Sequence, residues 1–428
     1  MRPAPVAHPA PAGPPIARVP VAGVGLILAG ILLVAVNLRA AITSLGALLP
    51  EVSQGLHLSP TAAGFITTLP ALCFAAFGTI TPALTRRLPI PAILIGAMLV
   101  LGAGQAVRAV TGSTIIFVIT STLALGGIAV GNVLLPAVVR QTFPERSGLI
   151  TGVYTMTLIA GTAAASAASV PIAHAFGGWR AGLGAWAALS FIAMLPWFGR
   201  SFSGTKEKQT KIRVAKSKLA WAMAVYFGLQ SLSGYATMGW LAQMFRDAGF
   251  SPSAAGLLLA GVPFFGMPIA LLMPALAGRR ANPRGLVLVL AAAMIASYLG
   301  LALSPGRGAV VWAVLWVALL ALGQGAFPFA LAMIGMRART PQGIVALSTF
   351  AQSTGYVIAA LGPLVVGVLY EATGGWTLPL GFLLAAAVIQ AVVGLIIARP
   401  RYLEDELAKT VVVSRPSHPP ATHPHPVS

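Results

Sequence analysis

Acidic residues are scarce in this sequence: its 428 residues include only eight Asp and Glu, against 27 Lys and Arg. Charged residues make up 8% of the chain, whereas soluble globular proteins carry roughly 25%. The chain therefore lacks the polar surface that a water-soluble fold needs. Hydrophobic residues make up 57% of it and form long runs, several of which exceed the roughly 18 residues that cross a bilayer. These features predict an all-α polytopic membrane protein.

Other absences narrow the function. The single cysteine, Cys73, excludes an intrachain disulfide. The sequence contains no phosphate-binding loop, no Cys/His metal spacing and no hydrolase motif such as G-x-S-x-G. The eight acids lie at the ends of apolar runs, in loops or in the tail, so none is available for catalysis inside a span. We therefore expect neither an enzyme centre nor a cofactor or metal, and no nucleic-acid partner, because the basic residues lie between apolar runs.

The apolar runs predict twelve transmembrane helices in two halves, an N-terminal half over 22–199 and a C-terminal half over 219–398. A Pro-rich arm over 1–21 and a Pro-rich tail over 399–428 are expected to be disordered. The basic segment 200–218 is interpreted as a cytoplasmic linker. The expected spans cover residues 22–49, 59–84, 90–111, 114–139, 147–173, 179–199, 219–245, 252–277, 284–304, 309–336, 343–370 and 376–398.

The basic residues predict the orientation of these spans. If the N-terminus is cytoplasmic, 22 Lys and Arg fall on the cytoplasmic side. Four fall outside, namely Arg108, Arg180, Arg246 and Arg307, and Arg39 lies within a span. Because cytoplasmic loops are enriched in Lys and Arg, this distribution predicts that both termini are cytoplasmic.

The two halves repeat. The segment "SPTAAGF" at 59–65 matches "SPSAAGL" at 251–257, and "GGW" at 177–179 matches "GGW" at 374–376. Further matching segments lie between these pairs. They occur in the same order in both halves, and a single insertion explains the change in their offset. A parallel repeat of two six-helix halves is the architecture of major facilitator transporters, in which the substrate site lies between the halves near the midplane.

The stretch "VAVNLRAAITSLGALLP" at 34–50 places Arg39 inside the first span, with no acid at the same depth. A charge at the centre of a bilayer costs about 2.5–3.5 kcal/mol on insertion scales, so such residues usually face a cavity. Two interpretations remain open. Arg39 either contacts an anionic substrate or holds helix ends together through backbone carbonyl groups. Thr43 shares its helix face, whereas Asn37 lies on the opposite side and is expected to bond another helix.

The remaining interior polar residues are neutral. Spans one, four, seven and ten line the central cavity in this architecture, and each carries an Arg, Asn or Gln. A single buried amide is more often a helix–helix contact than a ligand contact, but four in cavity-lining spans favour a polar site for a small molecule. The predicted substrate-binding residues are Arg39, Thr43, Asn132, Gln230, Tyr235, Trp240, Gln324, Gln352 and Tyr356.

Several motifs carry a family resemblance. The stretches "NLRAAITSLGALLPEV", "GNVLLPAVVRQTFP", "LGQGAFPFAL" and "AQSTGYVIAALGP" closely resemble the cyanate and 2-nitroimidazole transporter family of the major facilitator superfamily. The resemblance implies a major facilitator fold and a bacterial inner-membrane carrier for small compounds. It implies that Arg39 belongs to the translocation pathway, and it points to Asn132, Gln230, Gln324 and Gln352 as matching motif positions.

The loop after the second span departs from the superfamily pattern. Members of the superfamily often carry a Gly, then an Asp, then basic residues there. This chain has Gly78, Arg86 and Arg87, but Pro82 and Ala83 occupy the Asp region, which argues against an Asp–Arg latch. These residues, together with Arg279 and Arg280 in the second half, are the predicted gating loops.

Two functions follow as hypotheses. The first is a secondary transporter that moves a small anionic or polar solute, cyanate- or nitroimidazole-like, by alternating access. The alternative is an efflux pump for neutral or hydrophobic drugs, for which the aromatic and methionine residues Trp240, Phe327, Phe329, Tyr235 and Met333 provide support.

Energy coupling and assembly complete the expectations. No span carries a carboxylate, so we expect facilitated diffusion, exchange, or proton coupling through a peripheral group such as Glu51 or His174. The expected partners are the lipid bilayer and a small-molecule substrate, and the expected oligomeric state is a monomer.

Overall fold

The computed structural model describes residues 21–200, 214–279, 282–303 and 310–413. Expectations for the N-terminal arm, for Arg280 and for most of the linker lie outside these ranges.

The N-terminal half contains α1 (Val21–Ala47), α2 (Leu49–Leu56), α3 (Pro60–Leu84), α4 (Ile90–Val110), α5 (Thr114–Thr142), α6 (Ser147–Ala175) and α7 (Trp179–Met194). The C-terminal half contains α8 (Lys218–Asp247), α9 (Pro252–Gly278), α10 (Arg284–Leu303), α11 (Val310–Gln324), α12 (Ala326–Met336), α13 (Pro341–Ala359), α14 (Leu361–Thr373) and α15 (Thr377–Ile397). A further helix, α16, covers Leu403–Val413.

The described part of the chain has ten helical stretches that are long and apolar enough to cross a membrane. They coincide with ten of the twelve predicted spans. The other two predicted spans correspond to α7, which has 16 residues, and to α8, a 30-residue helix with more polar side chains. The all-helical prediction is therefore confirmed.

Two predicted spans, 309–336 and 343–370, are each divided into two helices, and the short helix α2 follows the first span after a break. The α1–α2 break is followed at once by Pro50, and the α13–α14 break is followed by Pro363, neither of which has a backbone N–H for the helical ladder. The α11–α12 break lies at Gly325, whose N–H bonds the carbonyl of Leu322 at 3.0 Å in a tighter turn. The α11–α12 and α13–α14 breaks lie within membrane-length stretches and do not end them.

The internal repeat has a local structural basis. Ser59 and Ser251 precede α3 and α9, and each hydroxyl accepts a bond from the N–H three residues on, at 3.2 Å and 3.3 Å. A Pro follows each serine in the first helical position, where its missing N–H costs nothing. The matching "SP" segments are therefore equivalent helix starts in the two halves.

The two halves contact each other mainly where α3 packs against α13 and α14, and where α6 packs against α9. Glycines allow close approach between α3 and α14. A Cβ added at Gly64 would lie 2.8 Å from the carbonyl oxygen of Pro363 and 3.2 Å from the Cα of Gly367. Such small-residue crossings are typical of membrane helix packing.

Charged side chains join the halves at one end of the bundle. Glu51 in α2 pairs with Arg246 near the end of α8 at 2.8 Å. Glu371 in α14 accepts a bond from the backbone N–H of Thr61, in the first turn of α3, at 2.7 Å. We call this end, marked by Glu51, Thr61, Arg246 and Glu371, the closed face.

The expectation of disorder from residue 399 onward is wrong for α16. Its acidic first turn bonds the starts of two other helices. Glu404 accepts bonds from the backbone N–H groups of Arg339 and Thr340 at 3.0 Å, and Glu406 accepts one from the hydroxyl of Ser217 at 2.8 Å. Thr340 and Ser217 are the N-caps of α13 and α8, so carboxylates at these positions are stabilising.

The α16 contacts change the acidity of Glu404. Burial raises the pKa of this carboxyl group, and the hydrogen bonds from Arg339 and Thr340 lower it by more. The net pKa of Glu404 therefore lies below its ordinary value.

Candidate functional site

A cavity of about 640 Å³ lies between the halves. Its lining comes from α1, α6, α8, α9, α11 and α12. It begins at the depth of Arg39 and continues to Gly148 in the first turn of α6, Pro274 near the end of α9, and Ala332 near the end of α12. These positions lie opposite the closed face, and we call this end the open face. Its polar lining residues include Arg39, Thr43, Thr151, Tyr154, Thr155, Thr162, Ser166, Gln230, Ser231, Tyr235, Thr237 and Gln324.

Arg39 is half-buried at the inner end of this cavity. Its guanidinium lies 5.8 Å from the ring centroid of Phe74, within range of a cation–π contact. It also lies close enough to the hydroxyl of Tyr235 for an electrostatic interaction. Neither of the two ion pairs found in the described ranges includes Arg39. The positive charge therefore faces the cavity among aromatic and neutral groups.

Thr43 lies one turn after Arg39 and lines the same cavity, as the helical spacing predicts. Its hydroxyl is within hydrogen-bonding distance of the backbone carbonyls of Arg39, at 3.1 Å, and Thr162, at 3.4 Å. Thr162 belongs to α6, so Thr43 connects two walls of the cavity. The expected role of Asn37 is confirmed, because its side chain donates to the carbonyl of Leu189 in α7 at 3.3 Å.

The glutamines form a hydrogen-bonded chain in the C-terminal half. Gln230 donates to the side-chain oxygen of Gln324 at 2.6 Å, and Gln390 donates to that of Gln230 at 2.8 Å. Gln324 donates in turn to the hydroxyl of Ser233 at 3.1 Å, and Ser233 bonds Tyr298. Gln230 and Gln324 both line the cavity, but these bonds also hold its wall together. The sequence analysis missed Gln390, whose signal is an amide in an otherwise apolar span.

Four predicted site residues do not line the central cavity. Trp240 is buried and donates from Nε1 to the carbonyl of Pro363 at 3.1 Å, within the C-terminal half. Gln352 bonds the hydroxyl of Ser348 one turn earlier, at 2.7 Å. Tyr356 is buried with its ring centroid 5.3 Å from that of Phe74. Asn132 is half-buried in α5 and is also absent from the lining.

The predicted gating residues lie away from the cavity. Arg86, Arg87 and Arg279 are exposed in the turns that follow α3 and α9. The ion pairs of the described ranges do not include them. Gly78 has no atom within 4 Å of an added Cβ. The closure seen in this structure is instead at the opposite end, on the closed face.

Arg108 was counted among the basic residues on the outer side, and it lies in the last turn of α4 with 1% of its surface exposed. Its guanidinium donates to the carbonyl of Ala41 in α1 at 3.2 Å. Its place near the end of an apolar run can be read from the sequence, but the inward direction of its side chain comes from the fold.

Comparisons with known proteins agree with this architecture. The family model for the Major Facilitator Superfamily matches residues 27–360. The uncharacterized transporter YycB of Bacillus subtilis strain 168 is 34% identical, covering 88% of this chain and 94% of that protein. The 2-nitroimidazole transporter of Escherichia coli strain K12 is 31% identical, covering 88% and 96%. The cyanate transport protein CynX of the same organism is 28% identical, covering 82% and 92%.

Solved structures show the same fold at low identity. The bacterial homolog of the human lysosomal transporter Spinster, in an inward-facing and unoccupied conformation, matches with a TM-score of 0.73. It is 15% identical, and the match covers 90% of this chain and 99% of that one. The all-helical fold of this chain agrees with these matches. The chain belongs to the Major Facilitator Superfamily of transporters.

Proposed function

We propose that this transporter moves a small anionic or strongly polar solute, cyanate- or nitroimidazole-like, across the bacterial inner membrane by alternating access. The observation that carries the proposal is Arg39, a cation at the inner end of the cavity that takes part in neither ion pair of the described ranges. An anion there would offset the charge and could accept two parallel N–H bonds from the guanidinium.

Two relatives support this class of cargo. One is named as a 2-nitroimidazole transporter and another as a cyanate transport protein. Both cargoes are small and polar, and the cavity offers one cation and several hydroxyl and amide groups on a lining that is otherwise largely apolar. Gln230, Gln324 and Thr43 are the neutral groups that we propose contact the solute beside Arg39.

The distribution of basic residues supports the orientation. Arg86, Arg87, Arg279 and Arg339 are exposed at the end of the bundle where the cavity opens. Cytoplasmic segments are enriched in Lys and Arg. The open face is therefore assigned to the cytoplasm, which makes the present conformation inward-facing.

Efflux of hydrophobic drugs is the weaker candidate. Of the residues that favoured it, Phe327 and Tyr235 line the cavity. Trp240, Phe329 and Met333 are buried in helix packing, with exposures of 4%, 0% and 0%. Three of the five aromatic and methionine residues that favoured drug efflux are therefore unavailable to a cargo in the cavity. A resistance screen with chemically unrelated inhibitors should show no broad protection.

Coupling is proposed to be facilitated diffusion, exchange, or proton coupling through a peripheral group. Glu51 forms an ion pair with Arg246 across the closed face, and His174 is exposed at the end of α6. If transport is facilitated diffusion or exchange, counterflow of the solute in liposomes should continue after the proton gradient is collapsed. A strict proton requirement in a variant that lacks both Glu51 and His174 would contradict all three.

The test of cargo binding replaces Arg39. Hydrogen bonds to charged groups contribute about 1.5–3 kcal/mol, so Arg39→Ala should lower the uptake of 2-nitroimidazole or cyanate by about 10- to 150-fold. Arg39→Lys should recover part of it, because lysine keeps the charge but lacks the planar fork. Arg399→Ala, which removes an exposed arginine, is the control. Normal uptake by a folded Arg39→Ala protein would overturn the proposal.

A further inference from the structure

A second guanidinium is buried deeper in the bundle than Arg39. Arg108 is 1% exposed in α4, and its only hydrogen bond found in the described ranges runs from one terminal nitrogen to the carbonyl of Ala41. Its Nε is buried and has no hydrogen-bond partner in those ranges. Neither ion pair there includes Arg108. Buried charges in proteins are normally paired and fully hydrogen-bonded, so this arrangement is incomplete.

A second buried arginine in the described part of the chain shows what a more complete arrangement looks like. Arg337 is 2% exposed. Its Nε donates to the carbonyl of Ile397 at 3.0 Å, and a terminal nitrogen donates to that of Ala398 at 2.8 Å. Arg337 thus uses two neighbouring donors of its guanidinium to connect two segments of the C-terminal half. Arg108 uses only one of the same two donors, because its Nε has no partner in the described ranges, so helix stapling does not account for its whole donor set.

A small cavity adjoins Arg108. Its volume is about 10 Å³, and its lining includes Arg108, Thr67, Tyr235 and Gly239. This volume is close to the minimum that holds one water molecule. The buried guanidinium of Arg108 therefore adjoins a cavity that has the size of a single small ion or water molecule.

The small cavity lies between the central cavity and the closed face. Tyr235 lines both cavities, so one side chain stands between them. Gly239, on the far side of Tyr235, lies one turn closer to the end of α8 at the closed face. Leu45 likewise lies beyond Thr43 in α1, and it lines the small cavity whereas Thr43 lines the central one.

We propose that Arg108 forms a second anion site, on the closed-face side of Tyr235, that takes a small monovalent anion of about halide size. The anion would accept a hydrogen bond from a donor of the guanidinium that Ala41 does not use, and it would offset the buried charge. Its further role rests on the proposed function: a cargo anion that leaves Arg39 towards the closed face would meet Arg108 next. Binding at Arg108 itself does not require that Arg39 bind the cargo.

The test measures bromide binding in a chain that lacks the first cation. The Tm of purified full-length Arg39→Gln protein is measured in detergent over a series of sodium bromide concentrations. Sodium gluconate replaces the bromide that is left out, so the ionic strength stays constant. An ion that binds only the folded state raises the Tm in a saturable way. We expect a saturable rise in the Arg39→Gln protein and none in the Arg39→Gln/Arg108→Gln protein. The Arg39→Gln/Arg337→Gln protein is the control. It should have a lower Tm without bromide, and bromide should raise that Tm as it does in the Arg39→Gln protein.

A second variant keeps the charge and removes the space. A Cβ at Gly239 would lie 3.0 Å from the Cβ of Thr67, within the small cavity. Gly239→Ala in the Arg39→Gln background should therefore weaken the bromide response by at least about tenfold in concentration, even if Arg108→Gln does not fold. Gly234→Ala is the matched control on the same helix, because its Cβ would make an ordinary contact of 3.4 Å with Gln324.

Either of two results would overturn the second site. One is the absence of any saturable bromide response in the Arg39→Gln protein, and the other is a response that survives both Arg108→Gln and Gly239→Ala. Failure of the proposed function has a different signature. It would appear as normal cargo uptake by Arg39→Ala, whatever bromide does at Arg108.

Discussion

Substitution of Gly64 should shift this transporter away from its present conformation. Gly64 faces α14 at the crossing between the halves, where an alanine Cβ would lie 2.8 Å from the carbonyl oxygen of Pro363. The Cα atoms of Leu364 and Gly367 would lie at 3.3 Å and 3.2 Å. All three neighbours are backbone atoms, which cannot rotate aside as a side chain can. The helices must separate to admit Gly64→Ala, and their separation opens the closed face.

The size of the effect follows from packing energies. Overpacking by one methyl group in a tight contact costs typically about 1–3 kcal/mol. Replacing glycine by alanine also favours the helix by roughly 1 kcal/mol, but α3 remains helical in both conformations, so this gain cancels. The net penalty therefore falls on the conformation with the closed face packed. A difference of about 1–3 kcal/mol changes the ratio of the two conformations by roughly 5- to 150-fold.

Cysteine alkylation measures this ratio. The only cysteine, Cys73, is replaced by serine, and a reporter cysteine is placed at Thr151, which lines the cavity near the open face. Gly64→Ala should slow alkylation of the reporter by a polar maleimide, because the open face is closed for more of the time. Gly78→Ala is the control on the same helix, since its Cβ meets no atom within 4 Å. Equal rates in folded Gly64→Ala and Gly78→Ala proteins would refute the reasoning.

Three further predictions concern other parts of the structure. Glu51→Gln removes the 2.8 Å ion pair with Arg246 across the closed face. A partly exposed ion pair contributes about 0.2–1 kcal/mol, so alkylation of the reporter cysteine at position 151 should become slower by up to about fivefold. Gln324→Leu leaves Gln230 without its 2.6 Å acceptor, which should cost about 1–3 kcal/mol and lower the Tm in thermal unfolding. The pKa of Glu404 is lowered in the folded state, so its contribution to stability is present above the unfolded pKa of about 4.3 and is lost as the pH falls through the folded value. Thermal unfolding from pH 3 to pH 7 should show a smaller acid-induced loss in Glu404→Gln.

Each of these has a result that would contradict it. A Glu51→Gln protein with unchanged alkylation would mean that the ion pair does not hold the closed face. An unchanged Tm in Gln324→Leu would mean that Gln230 finds another partner. A Glu404→Gln protein that loses as much stability in acid as the original chain would show that other carboxyl groups dominate.

The fold was predictable because its signals are local or periodic. Span length, the scarcity of acids and the two "SP" helix starts at Ser59 and Ser251 are read directly along the chain. One shared cavity for Arg39, Thr43 and Gln230 was also predictable from the sequence, because parallel six-helix repeats bring particular spans to the centre of the bundle. The short helix α16 was missed because its stability comes from bonds to the N-caps of two other helices, which sequence alone does not place nearby.

The individual site residues were less predictable. In a membrane helix both lipid-facing and buried surfaces are apolar, so the hydrophobic period does not show which side faces a cavity. Trp240 lies in the cavity-lining helix α8 but bonds a backbone carbonyl instead. Gln352 lies in α13, which does not line the cavity, and bonds a neighbouring hydroxyl. Gln390 was overlooked because its importance comes from Gln230, a partner 160 residues away. The burial of Arg108 was not predicted, because a position near the end of a run does not fix the direction of a long side chain.

The unpaired charge of Arg39 has an electrical consequence. A water-filled cavity takes the potential of the compartment to which it opens, so reversal of access moves this charge across most of the membrane voltage. That voltage acts on one charge with about 2.3 kcal/mol per 100 mV, a factor of roughly 50 in population. A carrier loaded with a monovalent anion would be nearly neutral at this point and insensitive to voltage. We therefore expect an inside-negative membrane to retain the empty carrier facing the cytoplasm. This retention slows the outward return of the empty carrier, so exchange of cargo should run faster than net import.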